Sequence, residues 1–263
     1  MKTQLNGITL AYSDKGTGLP IIFLHAFPLT RRMWTAQEEA LSSEFRIITI
    51  DLRGHGESDA PLWQHTLDQV AEDVRTLFDH LAIQRAVLVG LSMGGYILFA
   101  FYRKYADRVK GLVLADTRAQ ADTMEGKEGR FQMAQVAYKK GSAAIADIMI
   151  PKLLSPATIQ TKPEIVQEVR TMIEGNQTSG IVGDLMAMAE RPDSIPLLTQ
   201  IACPTQIIVG ELDQATPLAD AKLMAEQIPG ARLAVIPGSA HLSNLEQPEI
   251  FTQIVRSFAS DLA

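Results

Sequence analysis

Short apolar runs, each bounded by turn residues, alternate with helix-spaced stripes along this chain and leave it few ways to fold. The runs are PIIFL at 20–24 and the segments 46–50, 86–89, 109–114, 205–209 and 232–236. Each is too short for a helix and rich in β-branched residues, as strands covered on both faces require. Helical segments are predicted at 34–41, 67–81, 94–105, 217–228 and 248–259. In the second of these, Val70, Val74, Leu77, Phe78 and Leu81 fall on one stripe. Strand followed by helix, repeated, predicts a parallel sheet sandwiched between helices, an α/β class. A hairpin over 5–12, with Asn6-Gly7 at its turn, precedes it.

The alternation stops at about Arg118 and resumes near Thr205. Between lie only helix-like segments, 126–139, 143–150, 163–173 and 181–189, punctuated by Gly141, Pro151, Pro156 and Gly175. The chain is therefore divided into an α/β core, 1–117 and 198–263, and a helical cap, 118–197. Six methionines, at 124, 133, 149, 172, 186 and 188, lie in the cap. Methionine adapts to irregular apolar space. The stripe predicts either a pliable substrate pocket or the cap's own core.

Composition removes several function classes. A formal charge of −6 argues against nucleic acid. No apolar run approaches the roughly 20 residues of a membrane span, and the opening MKTQLNGITLAY has no leader-like apolar stretch. Cys203 is the only cysteine, so no internal disulfide can form. Scattered histidines and a lone cysteine predict no metal, and no cofactor is implied. A cytoplasmic protein acting on a small molecule is expected, with no membrane partner. Oligomeric state is not legible.

Chemistry enters at VLVGLSMGGYIL, 87–98. Gly90-x-Ser92-x-Gly94 follows a strand and opens a helix, the setting in which this pattern presents a nucleophile on a strained turn. The small residues let strand and helix approach closely, and the helix N-terminus favours developing negative charge. Ser92 still needs a base. Of five histidines, His65 and His80 read as surface residues, His55 sits in the turn RGHG, and His25 ends a strand, where it would brace a loop. His241, in the small-residue loop PGSAH after the last predicted strand, remains. The acid that orients it is expected at Asp213, in GELD beyond the 205–209 strand; Asp116 competes, since it too ends a strand. Oxyanion donors are expected from the backbone N–H of Met93 and, in the loop His25-Ala-Phe-Pro28, of Phe27. His25, Phe27 and Met93 are also the expected substrate-contacting residues.

HAFP at 25–28, DLRGHGES at 51–58, GLSMGG at 90–95, GELD at 210–213 and SAHLSNLEQP at 239–248 together resemble the α/β-hydrolase family. The resemblance implies a mostly parallel eight-stranded sheet with a cap over the site. It looks closest to small carboxylesterases and to 3-oxoadipate enol-lactonase-like hydrolases, the segment AHLSNLEQP being similar to the latter. Ala26 stands where the family's loop usually has glycine. If that position needs a left-handed backbone, alanine costs about 1 kcal/mol there. A serine nucleophile sets the chain apart from dehalogenases of this fold, which use aspartate.

The function expected is a carboxylesterase working through an acyl-enzyme on Ser92, His241 and Asp213. Lactone hydrolysis, C–C bond hydrolysis and perhydrolysis use the same machinery, and a ligand-sensing receptor is the reading from another class. Arg118, Arg130 and Arg191 are candidates for a carboxylate clamp, but exposed arginines are the usual case, which tilts the expectation toward neutral esters.

Overall fold

The Asn6-Gly7 turn joins β1 (Lys2–Leu5) to β2 (Ile8–Lys15) in an antiparallel hairpin, and both turn residues have positive φ, 49° and 77°. Such a pair suits the twist of a two-residue hairpin connection. This is a computed structural model, and it describes residues 1–62 and 65–263. From β3 (Pro20–Leu24) the chain alternates as the sequence predicts: α1 (Thr35–Leu41), β4 (Arg46–Asp51), α2 (Leu67–His80), β5 (Ala86–Leu91), α3 (Met93–Tyr105) and β6 (Val109–Ala115).

Helices alone follow: α4 (Met124–Leu153), α5 (Pro156–Thr161), α6 (Pro163–Glu174), α7 (Thr178–Ala189) and α8 (Ile195–Leu198). The core resumes with β7 (Thr205–Gly210), α9 (Leu218–Gln227), β8 (Arg232–Ile236), α10 (Ser243–Glu246) and α11 (Pro248–Ser260). Two helical segments predicted at 126–139 and 143–150 form one bent element, α4. Gly141, at φ 77° and ψ −178°, breaks its backbone where the sequence placed punctuation.

The strands form one eight-stranded sheet in the order β1-β2-β4-β3-β5-β6-β7-β8, antiparallel only at its first two pairings. Every residue of β5 and β7 is buried, consistent with helices on both faces. Among the described residues, Trp34, Phe23, Phe78, Phe99, Phe101 and Phe251 are the largest fully buried side chains.

Helices β6 to β7 enclose dock on the core through polar groups as well as apolar ones. A β-carbon at Gly180 on α7 would lie 1.8 Å from the Gly54 carbonyl oxygen, so two backbones touch there. Beside them, His55 Nε2 and His65 Nε2 each lie 2.6 Å from an oxygen of Asp184 on α7. Asn176 accepts from Gly56 N at 2.8 Å and donates to the Pro28 carbonyl at 2.8 Å. His65, read from sequence as a surface residue, is buried; its partner Asp184 is 119 residues away. His80 is exposed, as expected.

Candidate active site

Parallel strands aim their carboxyl ends at one rim, and a crevice there is where open α/β sheets place ligands. Ser92 follows β5 directly, with φ 55° and ψ −113°, a conformation a β-carbon disfavours by about 1–3 kcal/mol. The surroundings impose it. Ser92 N donates to Ala115 O at 2.9 Å, and its carbonyl accepts from Gly95 N at 2.9 Å and Thr117 Oγ1 at 2.8 Å. A β-carbon at Gly90 would come within 2.5 Å of the Gly94 backbone, and one at Gly94 within 2.4 Å of Leu24 O. The glycines therefore let the turn close backbone to backbone while the serine side chain stays half-exposed.

His241 Nε2 lies 2.8 Å from Ser92 Oγ, and His241 Nδ1 lies 2.8 Å from Asp213 Oδ2. Asp213 is itself held: Ala215 N and Thr216 N donate to Oδ1 at 2.8 and 3.0 Å, and Thr216 Oγ1 to Oδ2 at 2.7 Å. Burial alone would lower the imidazole pKa, but the charge and hydrogen bond of Asp213 outweigh it and leave His241 raised. Burial pushes the Asp213 carboxyl up, and His241 and Thr216 more than offset this, leaving it lowered. Glu246 on α10 fixes the histidine loop by accepting from Ala240 N at 2.7 Å and from Ser155 N at 2.9 Å.

The competing acid, Asp116, does not bond to His241. It accepts from Gly210 N at 2.8 Å and from Ser243 Oγ, tying β6 to β7 and to the helix after the histidine. Complete burial, then the nearby Asp213 charge, raise its pKa to about 8.

In the loop after β3, Ala26 is not among the residues of positive φ, so the expected strain is absent. Instead Ala26 N donates to Met33 Sδ at 3.3 Å and Leu29 N to Ala26 O at 2.8 Å. His25 braces this loop: Leu52 N donates to its Nε2 at 3.0 Å, which leaves Nδ1 to donate to Ala26 O at 3.0 Å. Burial, with His55 beside it, lowers the His25 pKa to about 3, so the ring stays neutral. Among the described residues, the N–H groups of Phe27 and Met93 have no hydrogen-bond acceptor.

A cavity of about 120 Å³ opens over Ser92. The core lines it with Phe27, Ser92, Tyr96, Ala215, Thr216 and His241. The β6–β7 segment adds Arg118, Arg130, Met149, Lys152, Leu153 and Met188. Of the three residues expected to contact substrate, only Phe27 lines this space; the His25 and Met93 side chains are packed away from it, both buried. Of the six methionines in the helical segment, only Met149 and Met188 reach the cavity, while Met172 is buried and Met124 is exposed. Met133, Met172 and Met186 serve the packing of the helices.

Arg118, Arg130 and Arg191 are not independent surface cations; all three surround Asp122. Arg130 bonds it through Nε, Arg191 Nη2 lies at 2.8 Å, and Arg118 Nη2 at 3.7 Å. Burial opposes ionisation of Asp122, but these guanidinium groups hold its pKa down at about 2. The sequence alone singles out none of Lys152, Tyr96, Thr216, Glu246 and Asp184; Tyr96 and Glu246 lie within the quoted motifs, but their contacts form only across the fold. No cluster of three or more His, Cys, Asp or Glu is arranged to hold a metal, and no helix is long and apolar enough to cross a membrane, among the described residues.

Sheet order, the turn at Ser92 and the helical segment between β6 and β7 define an α/β hydrolase. A family model described as alpha/beta hydrolase fold matches residues 20–248, and the chain belongs to that family. It is similar to a thermophilic esterase from Thermogutta terrifontis, solved with malate bound (44% identity, 99% of this chain and 97% of that one, TM-score 0.95). The enol-lactonase of Burkholderia xenovorans LB400 is 30% identical over 99% of this chain and 100% of its own, with a TM-score of 0.93. 3-Oxoadipate enol-lactonase 2 of Acinetobacter baylyi is 30% identical over 96% of this chain and 92% of its own. With esterases and enol-lactonases as its neighbours, the chain is a hydrolase of the α/β fold.

Proposed function

We propose that this hydrolase cleaves small carboxylic esters through a serine acyl-enzyme, with the helices of 118–197 acting as its cap. The observation that carries the reading is the unbroken relay from Ser92 Oγ through His241 to Asp213, with both links at 2.8 Å. Ser92 Oγ attacks the ester carbonyl as His241 Nε2 takes its proton. Asp213 holds Nδ1–H and stabilises the imidazolium that forms. The free N–H groups of Phe27 and Met93 receive the oxyanion. His241 then returns the proton to the departing alcohol, and water, activated by the same imidazole, releases the acid. A cavity well below the about 300–1,000 Å³ of drug-sized sites favours short substrates. A cytoplasmic setting fits a sequence whose single cysteine can form no internal disulfide.

Hydrolysis of lactones is the second reading. It draws on the 30% identity to enol-lactonases over nearly the whole chain, and it uses the same steps with a tethered leaving group. A Ser92→Ala variant is expected to lose about 10⁶-fold in kcat on p-nitrophenyl acetate, by analogy with other triads. Undiminished hydrolysis by that variant would refute the assignment.

A further inference from the structure

We propose that the cavity over Ser92 contains an anion subsite, built from Arg118 and Lys152, that selects substrates carrying a free carboxylate beside the scissile ester. The proposal rests on the hydrolase reading above and specifies its substrate class.

Charge in the lining is one-sided. Arg118, Arg130 and Lys152 line the cavity, and no aspartate or glutamate does. Behind them Arg191, stacked 4.1 Å over the Tyr96 ring, adds a fourth cation. Several carboxylates stand behind the lining, Asp122 and Asp220 among them. Asp122 is taken by Arg130 and Arg191, whose contacts are of hydrogen-bonding length. Asp220 bonds Gln120 Nε2 at 3.0 Å and acts on Arg118 only through space. The lining itself therefore carries positive charge with no carboxylate among its residues.

Two of the cations are not used up by the fold. Arg118 reaches Asp122 only at 3.7 Å, and its buried Nε–H has no acceptor; its other polar neighbour is the Tyr96 hydroxyl. Lys152 makes no ion pair and no side-chain hydrogen bond to another carboxylate among the described residues, although Asp122 and Glu246 are both bound by other groups of the same segment. An orphaned guanidinium N–H is costly to leave buried, and a carboxylate matches its fork. An ester that brings its own carboxylate would complete this lining; a neutral ester leaves it unsatisfied. Of the three arginines that the sequence offered as a carboxylate clamp, Arg118 is thereby assigned to specificity.

The test pairs two methyl esters of nearly equal size: monomethyl succinate, anionic at neutral pH, and methyl 4-oxopentanoate, which is neutral. Wild-type protein is expected to favour the anion in kcat/KM by about tenfold or more, the scale of one charge-assisted hydrogen bond. Raising the salt should reduce that ratio. Lys152→Met, at an exposed residue without an ion pair, and Arg118→Met are each expected to move the ratio toward one. A wild-type ratio of one or below, or ratios unmoved in both variants, overturns the subsite while the hydrolase reading stands. Turnover of neither methyl ester, with p-nitrophenyl acetate still cleaved, also overturns it. No Ser92-dependent turnover of any ester would sink the hydrolase reading and the subsite with it.

Discussion

Replacing Asp184 by alanine should substantially weaken the contact between the helical segment and the core. Its carboxylate is fully buried and accepts from two imidazoles, His55 and His65, both buried and both belonging to the core. Removing it leaves two buried N–H donors without acceptors, at about 1–3 kcal/mol each. Together the two orphaned donors come to about 2–6 kcal/mol. For a chain of this size that corresponds to a fall in melting temperature of about 4–24 °C. Thermal unfolding followed by circular dichroism at neutral pH would measure it. The pH dependence gives an independent arm. Burial acts to raise the Asp184 pKa, but the His55 charge and hydrogen bond and those of His65 outweigh it and set the carboxyl well below its ordinary value. A group lowered in this way contributes stability that is complete above the unfolded value of about 3.9 and is lost as the pH falls toward the folded value. The gap between wild type and Asp184→Ala should therefore narrow only below about pH 4. A melting shift under about 2 °C, or a gap that shrinks instead between about pH 5 and 8, would refute the argument.

The two candidate acids separate cleanly by substitution. Asp213→Asn should lower kcat about 10⁴-fold, because an amide facing Nδ1 forces the wrong imidazole tautomer toward Ser92. Asp116→Asn should cost less than about tenfold, since burial and the Asp213 charge keep Asp116 largely protonated below about pH 8 and the amide resembles that form. Equal losses in the two variants would assign Asp116 a part in the relay. In a pH profile, kcat/KM should rise as His241 loses its proton, with a midpoint above 6.5, because Asp213 outweighs the effect of burial on that ring. A midpoint at or below 6.5 would contradict the electrostatics described.

How far the sequence reached depended on how local the physics was. Strand and helix periods are set by neighbours two to four residues apart, so the sheet, the break at Arg118 and the kink at Gly141 were legible. The turn at Ser92 was legible too, because its glycines are demanded by contacts within the turn and with the adjoining strand. His25 could be read as a brace from its place at a strand end, although its role as acceptor for Leu52 N could not. His65 could not be read correctly, for nothing nearby in the chain reveals an aspartate 119 residues on.

By itself, then, the sequence determined an α/β hydrolase scaffold and the order in which a serine, an acid and a histidine reach its rim. Only the tertiary structure brings Asp213, rather than Asp116, against His241. Both end strands, and the choice is a matter of which carboxylate the imidazole meets at 2.8 Å. It likewise decided that the arginines converge on Asp122 and that Arg118, Arg130 and Lys152 face the cavity. Pairing is inscribed locally, whereas charge balance in a cavity depends on side chains that meet only after the helical segment has docked. That difference in range is why the turn that presents Ser92 could be read along the chain and the charge of the cavity over it could not.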